Sequence, residues 1–528
     1  MKAFELPTPI VDSTETTSLN PWVKFSMAVA CLLGILAVAA SNTIIDLDLF
    51  HQVSLFREFL ANGAMPMTDS FAYTPTREIV VHHEWGMGAI QYYAMEGSGL
   101  GNAGLMILKY GLAFSICLVC YVVARKNGAP FALIVLLSPI ALSVGGYIGF
   151  TNVRAQVVTL LFLAIEFWMF SSDRAGKRLW CLAWIPLMIA WTNIHGGVVA
   201  GAAIFAFWVG CRFVEALLES NFMGAVREGA HRIGLALILP VLMCVNPYGA
   251  AYVPYLIRAV QMKRPMIGEW SSIWGSGDTA MLLMFGLALF VAVVAAVAIY
   301  KRGSGAKSIV RFLFPVSVIV LTWIMASKNM RHVSIFAVAW ICYAPMLLSQ
   351  TEFHKWVLQS VSRNQQAIKK ASLAFAMVAL AISLNARFWA VNVPAFADDA
   401  PVGSPIYPVH AMNFLEQENI GGNMMVWFND GAYVSWRMFP QIKVSLDSRY
   451  EVAYPHGAVE ESVAFYNAED SWRETLEKYP TDMVLAPTAT AICETMDEAI
   501  ATGELSWKVI YRDESFVLFR KSEALAVQ

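Results

Sequence analysis

Charge is what this sequence has least of. Of its 528 residues only 14% are Asp, Glu, Lys or Arg, while 57% are hydrophobic; ordinary globular chains are about 25% charged and about 45–50% apolar. With a mean hydropathy of +0.54, that shortage excludes a soluble multidomain protein and indicates a polytopic membrane protein. Neither sign is in excess: 37 Lys+Arg against 39 Asp+Glu leaves a net charge of -2. Counterion release from nucleic acid therefore has nothing to draw on, and no nucleic-acid partner is expected. Disulfide and zinc chemistry are missing too. Cys31, Cys117, Cys120, Cys181, Cys211, Cys244 and Cys342 stand in apolar stretches, and only Cys493 lies in the polar C-terminal region. The Cys117/Cys120 pair reads as two small hydrophobes. The chain has no signal-peptide core near its start, and no repeat, low-complexity tract or heptad pattern.

What the sequence has instead is apolar runs, near 25–43, 103–124, 131–148, 155–171, 179–194, 197–215, 233–246, 279–300, 312–327, 333–349 and 372–390. These predict about eleven transmembrane helices, several of them short against the ~20 residues of a straight span. Arg125 and Lys126, Arg174, Lys177 and Arg178, Arg227 and Arg232, Lys301, Arg302, Lys307 and Arg311, then Lys355, Arg363, Lys369 and Lys370 fall in alternate loops. Basic loops stay inside. The N-terminus is thus expected in the cytoplasm, with the loop 44–102 and the tail outside. Two domains are expected: a transmembrane module over 1–393, including that loop, and an extracytoplasmic α/β domain over 394–528. In the tail, 424–427, 443–446 and 483–485 read as short buried strands, 408–419, 431–438, 458–478 and 490–502 as helices, and 507–510 with 516–520 as a hairpin.

Three groups of polar residues bear on chemistry. The first is Asp46-Leu47-Asp48-Leu49-Phe50-His51, where the first helix ends. Residues 49–61 read as an amphipathic helix stopping at Asn62-Gly63, with its apolar side along the membrane surface and Asp48 and His51 one turn apart. Solvated boundary charges are the plain alternative. The second is His82-His83-Glu84-Trp85, which can bind phosphate or ligate a metal but lacks the i, i+4 spacing of a helical metal site. The third is spread over helix ends: Asn152 and Arg154, Asn193 and His195, Asn246 and Tyr248, and Lys328, Asn329, Arg331 and His332. These residues either form a site for an anionic headgroup or simply let Arg154, Lys328 and Arg331 reach membrane-lipid phosphates.

On these residues the chain resembles the GT-C superfamily of membrane glycosyltransferases. Asp48, Gly63 and Pro66 fit the branch that includes protein O-mannosyltransferases and the aminoarabinose transferase of lipid A. Asp46-Leu-Asp48-Leu-Phe-His51, Pro66, Asp69-Ser-Phe-Ala-Tyr73-Thr74 and His83-Glu84-Trp85 look like a bacterial group of typical form DPDLWWH, P-x-x-D-x-F-S-Y-T and HEW. The likeness continues at Trp191-Thr-Asn193-Ile-His195-Gly196-Gly197 and Asn246-Pro247-Tyr248-Gly249. In the tail, Trp427-Phe-Asn-Asp430-Gly431-Ala-Tyr433 and Val444-Ser-Leu-Asp447-Ser-Arg449 are distantly similar to the region around the WWDYG motif of oligosaccharyltransferases. Most positions depart from WWDYG, so peptide recognition does not carry over. Asn429-Asp430-Gly431 reads as a helix cap.

The resemblance implies a GT-C fold and transfer of a sugar, with inversion, from a polyprenyl-phosphate donor to a glycan, lipid or protein in the cell envelope, at the periplasmic side of a bacterial inner membrane. Asp48 would be the general base, assisted by Asp46. His51, His83, Glu84, Arg154, His195, Lys328, Arg331, Asp447 and Arg449 would bind substrate. A cofactor-free reaction is preferred, with a divalent cation such as Mg or Mn as the open alternative, for which Asp46, His83 and Glu84 are the candidate ligands. An inactive scaffold of an envelope-glycan complex and a lipid or sugar transporter are the alternatives. Transporters, however, commonly show repeated halves, and none is present here.

Overall fold

A computed structural model describes residues 19–43, 45–262, 264, 267–302, 310–384, 390–394, 407–455 and 457–522. The first 18 residues, Lys307 and the last part of the run ending at 390 lie outside them. In chain order the helices are α1 (Pro21–Ala40), α2 (Leu47–Asn62), α3 (Trp85–Tyr92), α4 (Asn102–Lys126), α5 (Phe131–Tyr147), α6 (Ala155–Arg174), α7 (Trp180–Ile194), α8 (Val198–Glu219), α9 (Phe222–Leu242), α10 (Tyr252–Gln261), α11 (Thr279–Arg302), α12 (Leu313–Lys328), α13 (Val333–Ser349), α14 (Glu352–Arg363) and α15 (Gln365–Leu384). The tail adds α16 (Val409–Gln417), β1 (Gly422–Val426), α17 (Gly431–Met438), β2 (Ile442–Val444), α18 (Ala458–Tyr466), α19 (Trp472–Lys478), β3 (Met483–Pro487), α20 (Ala491–Ala501), β4 (Trp507–Arg512) and β5 (Phe516–Lys521). Two compact units result, one from residues 19–43, 106–246 and 260–390, the other from 45–105, 247–259 and 391–522.

The first unit is helical, and each of the eleven apolar runs is a helix within it. Seven of the described helices are long and apolar enough to cross a membrane; α5, α7 and α12 are apolar but shorter. Helix α9 starts well before its apolar run, because its first half carries Arg227, Glu228, His231 and Arg232. The chain is therefore a multi-pass membrane protein. Helix α13 is buried on every side against α5, α6, α11 and α12, as a helix apolar all round must be. Several of the buried polar groups among these helices meet across α6 and α7. Thr159, Glu166 and Asp173 recur every seventh residue on α6, and each accepts from an indole N–H of α7: Trp191 at 2.8 Å, Trp184 at 3.0 Å and Trp180 at 3.2 Å. A buried indole needs such a partner.

The second unit is α/β. Its sheet runs β2-β1-β3-β5-β4; β1 is parallel to β2 and β3, and β5 is antiparallel to β3 and β4. Val484, Phe465, Tyr466 and Phe519 fill the core. The single helix expected over 458–478 is two, α18 and α19, because Ala468 turns the chain at φ 55°. The loop before α3 is stitched to the edge strand: Val444 N–H donates to Phe71 O at 3.0 Å and Tyr73 N–H to Val444 O at 3.1 Å.

Helix α2 forms as its sequence predicts. Gly63 ends it in the left-handed region at φ 71°, donating to Phe59 O. Its apolar side is not left for a membrane surface, however. Leu49, Phe50, Val53 and Phe56 are buried against α3 and α17, with Phe50 edge-on to Tyr433 at 5.1 Å. Protein covers that side because α3 approaches at Gly88, where a Cβ would stand 2.2 Å from Gln52 O. Gly88→Ala is expected to lower the stability of this unit by about 1–3 kcal/mol through overpacking, read as a fall in Tm of the purified protein. Gly111→Ala, in open space on α4, is the matched substitution that should not.

Candidate functional site

Each unit carries one cluster of the polar residues that the sequence singles out. In the second unit the cluster begins at the N-terminus of α2. Asp46 is the cap, its Oδ1 accepting from Asp48 N–H at 3.0 Å. Asp48 lies in the first turn, where a carboxylate is favoured by the helix dipole, and its side chain keeps 28% of its surface exposed. One turn on, His51 Nδ1 lies 3.8 Å from Asp48 Oδ1 and 3.1 Å from Ser448 Oγ. Burial pushes the His51 imidazole down to about 4, against the opposing pull of Asp447 and Glu84, so it is neutral near pH 7.

Behind this pair, Gln52 on α2 donates to Glu84. His83 Nε2 is 3.3 Å from Glu84 Oε1, and its Nδ1 is 2.8 Å from the Tyr255 hydroxyl. Asp447 and Arg449 form the floor. Arg449 is buried; its Nη2 donates to Asp447 at 2.6 Å and its Nη1 to Asp69. Burial pushes the Asp69 carboxyl up, but Arg449 overrides this and holds it below the usual carboxylate range. Burial and Arg449 together push His82 well down.

The unit thus brings Asp46, Asp48, His51, His83, Glu84, Asp447 and Arg449 into one connected set. Among the described residues no group of three His, Cys, Asp or Glu side chains has the arrangement of a metal centre. Asp430 departs from its expected part: it precedes α17, but its side chain makes no capping bond. It is buried instead, and that burial pushes its carboxyl up to about 8.

The first unit holds the other cluster. Arg154, at the start of α6, donates to Glu269 Oε1 at 2.5 Å. His195 ends α7 in extended backbone, its Nδ1 2.8 Å from Thr159 Oγ1 and accepting from Gly197 N–H at 3.1 Å. Arg331, in the turn Met330–His332, lies 3.5 Å from His195 Nε2 and 5.4 Å from the Trp270 ring centre. Arg264 lies 4.3 Å from the same ring centre. Lys328, in the last turn of α12, is exposed.

Sequence reasoning passed over Glu269 and Trp270, which lie in a loop with no periodicity. Asp69 stands in the motif 69–74 with no expected role, and only the fold shows that it meets Arg449.

No family model matches the chain, and no curated protein does. Among solved structures the chain is similar to the archaeal oligosaccharyltransferase AglB from Archaeoglobus fulgidus, in complex with an inhibitory peptide and a dolichol-phosphate. The TM-score is 0.55 at 12% identity, over 88% of this chain and 69% of that one. ArnT from Cupriavidus metallidurans bound to undecaprenyl phosphate matches with a TM-score of 0.48 at 13% identity, over 96% of this chain and 99% of that one. Its apo state matches at 0.48 and 13%, over 94% and 97%. The fold is of GT-C type, a polytopic helical membrane fold with a small sheet domain, as the sequence resemblance implied.

Removing one partner of a buried ion pair leaves a charge without compensation and costs about 3–5 kcal/mol. Asp69→Asn is therefore expected to destabilise the second unit by that order, measured as loss of the cooperative melt in detergent. A pH dependence follows from His51. It is protonated below its ordinary 6.5 in the unfolded chain but only below about 4 in the folded one, so stability falls as pH drops through that window, by up to about 3 kcal/mol. The Tm difference between wild type and His51→Gln, followed from pH 7 to pH 4.5, should shrink or reverse as the pH falls.

Proposed function

We propose that this protein is an integral membrane glycosyltransferase that moves a sugar, with inversion, from a polyprenyl-phosphate donor to an extracytoplasmic acceptor hydroxyl on a glycan, lipid or protein. The observation that carries the reading is Asp48: a partly exposed carboxylate fixed by the Asp46 cap at the start of a helix, in a chain of GT-C fold. The similar AglB structure, captured with a dolichol-phosphate, supports the donor class. The basic loops support an inner-membrane setting with the N-terminus in the cytoplasm and the C-terminal domain in the periplasm.

In this reading Asp48 takes the proton of the acceptor hydroxyl as that oxygen attacks the anomeric carbon. The bond from that carbon to the phosphate oxygen breaks, and polyprenyl phosphate leaves with the electron pair. Neutral His51, 3.8 Å from Asp48 and held by Ser448, orients the base without competing for the proton. The first unit's Arg154, His195, Lys328 and Arg331 are the candidate cations and donors for a phosphate. Glu84, His83, Asp447 and Arg449 shape the acceptor side by fixing the loop and tail that flank α2. No step of this reading runs through a metal; a divalent ion taking part would be held by Asp46, His83 and Glu84 and would supply charge neutralisation at the phosphate.

The test compares envelope lipids, polysaccharide and surface proteins of the host expressing wild type or Asp48→Asn at equal membrane levels. Loss of a single sugar, with transfer down by roughly a hundredfold or more, is expected and would name donor sugar and acceptor together. An unchanged profile, with an effect only on deleting the whole chain, would turn the assignment toward a scaffold or transporter.

A further inference from the structure

The first unit contains a cavity that the proposed reaction does not use. It has a volume of about 350 Å³ among α1, α4, α5, α6 and α13, and its lining is almost wholly apolar. On α13 it is lined by Ser334, Ala337, Val338 and Ile341, the i, i+3, i+4, i+7 stripe of one helix face. It reaches the outside of the bundle past Leu32 on α1 and Leu118 on α4, which are 52% and 62% exposed. Both helices are long and apolar enough to cross a membrane, so hydrocarbon lies at that mouth.

The polar atoms along the cavity are satisfied except at one end. Pro139 cannot donate to Val135 O as an α5 residue otherwise would; Ser138 Oγ does so instead at 2.8 Å, and Cys31 Sγ lies 3.3 Å from Ser138 Oγ. At the far end Ser334, in the first turn of α13 and only 1% exposed, has a hydroxyl with no partner. A buried hydroxyl left without a partner is costly, so a ligand that accepts from it is favoured. An apolar body with a single hydroxyl at one end fits a hydrocarbon chain that begins at a carbonyl. The volume suits about a dozen heavy atoms at the ~30 Å³ that a water takes, the size of one acyl chain.

We propose that this cavity is a resident-lipid site, holding one acyl chain of a bilayer glycerophospholipid whose ester carbonyl accepts from the Ser334 hydroxyl. Cys31 and Cys117 line the chain's bed and report its presence, because a seated chain shields them from alkylation.

The test uses the full-length protein purified in mild detergent. Native mass spectrometry and lipid extraction are expected to find one glycerophospholipid per chain, with Cys31 and Cys117 reacting slowly with N-ethylmaleimide. Stripping lipid with harsher detergent should speed alkylation of these two residues but not of Cys244, which lies elsewhere. Ala141→Phe, which fills the cavity from α5, should abolish retention. Ser334→Ala should lower it roughly fivefold, the worth of one ordinary hydrogen bond, and does so without adding bulk, so the test survives if Ala141→Phe misfolds. Equal alkylation before and after stripping, or full retention by Ser334→Ala, would overturn the proposal. So would recovery of a polyprenyl phosphate in stoichiometric amount in place of the phospholipid.

Discussion

A guanidinium taken out of water must be neutralised where it lies, and Arg449 is buried to 4% exposure. Asp447, two residues before it, supplies one carboxylate; Asp69, from the loop between α2 and α3, supplies the other. Neither acid alone can satisfy a five-donor fork at the protein's low dielectric. The loop is therefore pinned to the tail by the demand of a single cation, and the backbone bonds of Phe71 and Tyr73 to β2 are laid down along the same seam. Ser448, between the two tail members of this triad, reaches His51, so the chain of constraint ends one helical turn from Asp48.

The helical unit answers a different demand. Among apolar helices every N–H and hydroxyl without a partner is expensive, and the α6 ladder shows the remedy, with three indoles of α7 meeting three acceptors seven residues apart. Acidic side chains also meet the basic ones that set the expected orientation. Asp173 takes Arg178 at 2.8 Å and Arg232 at 2.9 Å, and Glu215 takes Arg174 at 2.9 Å. A basic loop can therefore still mark the inside of a membrane while much of its charge is engaged within the bundle.

Apolar runs and short buried strand blocks were plain in the sequence, because burial imposes them residue by residue. All eleven runs became helices, and the order of strands and helices in the tail was readable from short blocks such as Met424–Val426 and Met483–Leu485. The end of α2 at Gly63 was equally legible, since only a left-handed residue closes a helix that way. What escaped was set by partners remote in sequence. Ala468 breaks a helix with no glycine or proline to announce it. Burial at Asp430 replaces the capping that its place before α17 suggested. Protein occupies the apolar side of α2 where a membrane surface was expected, because nothing local in 49–61 says which apolar medium it will meet. Arg154 carried a signal of its own, whereas Glu269, its partner 115 residues on, carried none.

The second unit is assembled from three separated stretches of chain, 45–105, 247–259 and 391–522. Asp48 leaves the ribosome some four hundred residues before Ser448 and Arg449, which fix the turn around it. Through most of synthesis the carboxylate therefore sits on a helix that has α3 beside it but whose neighbours from the tail do not yet exist. The set around Asp48 is therefore completed late, and a chain cut short between α15 and β2 would keep every helix long and apolar enough to cross a membrane while lacking the residues that order the turn around that carboxylate.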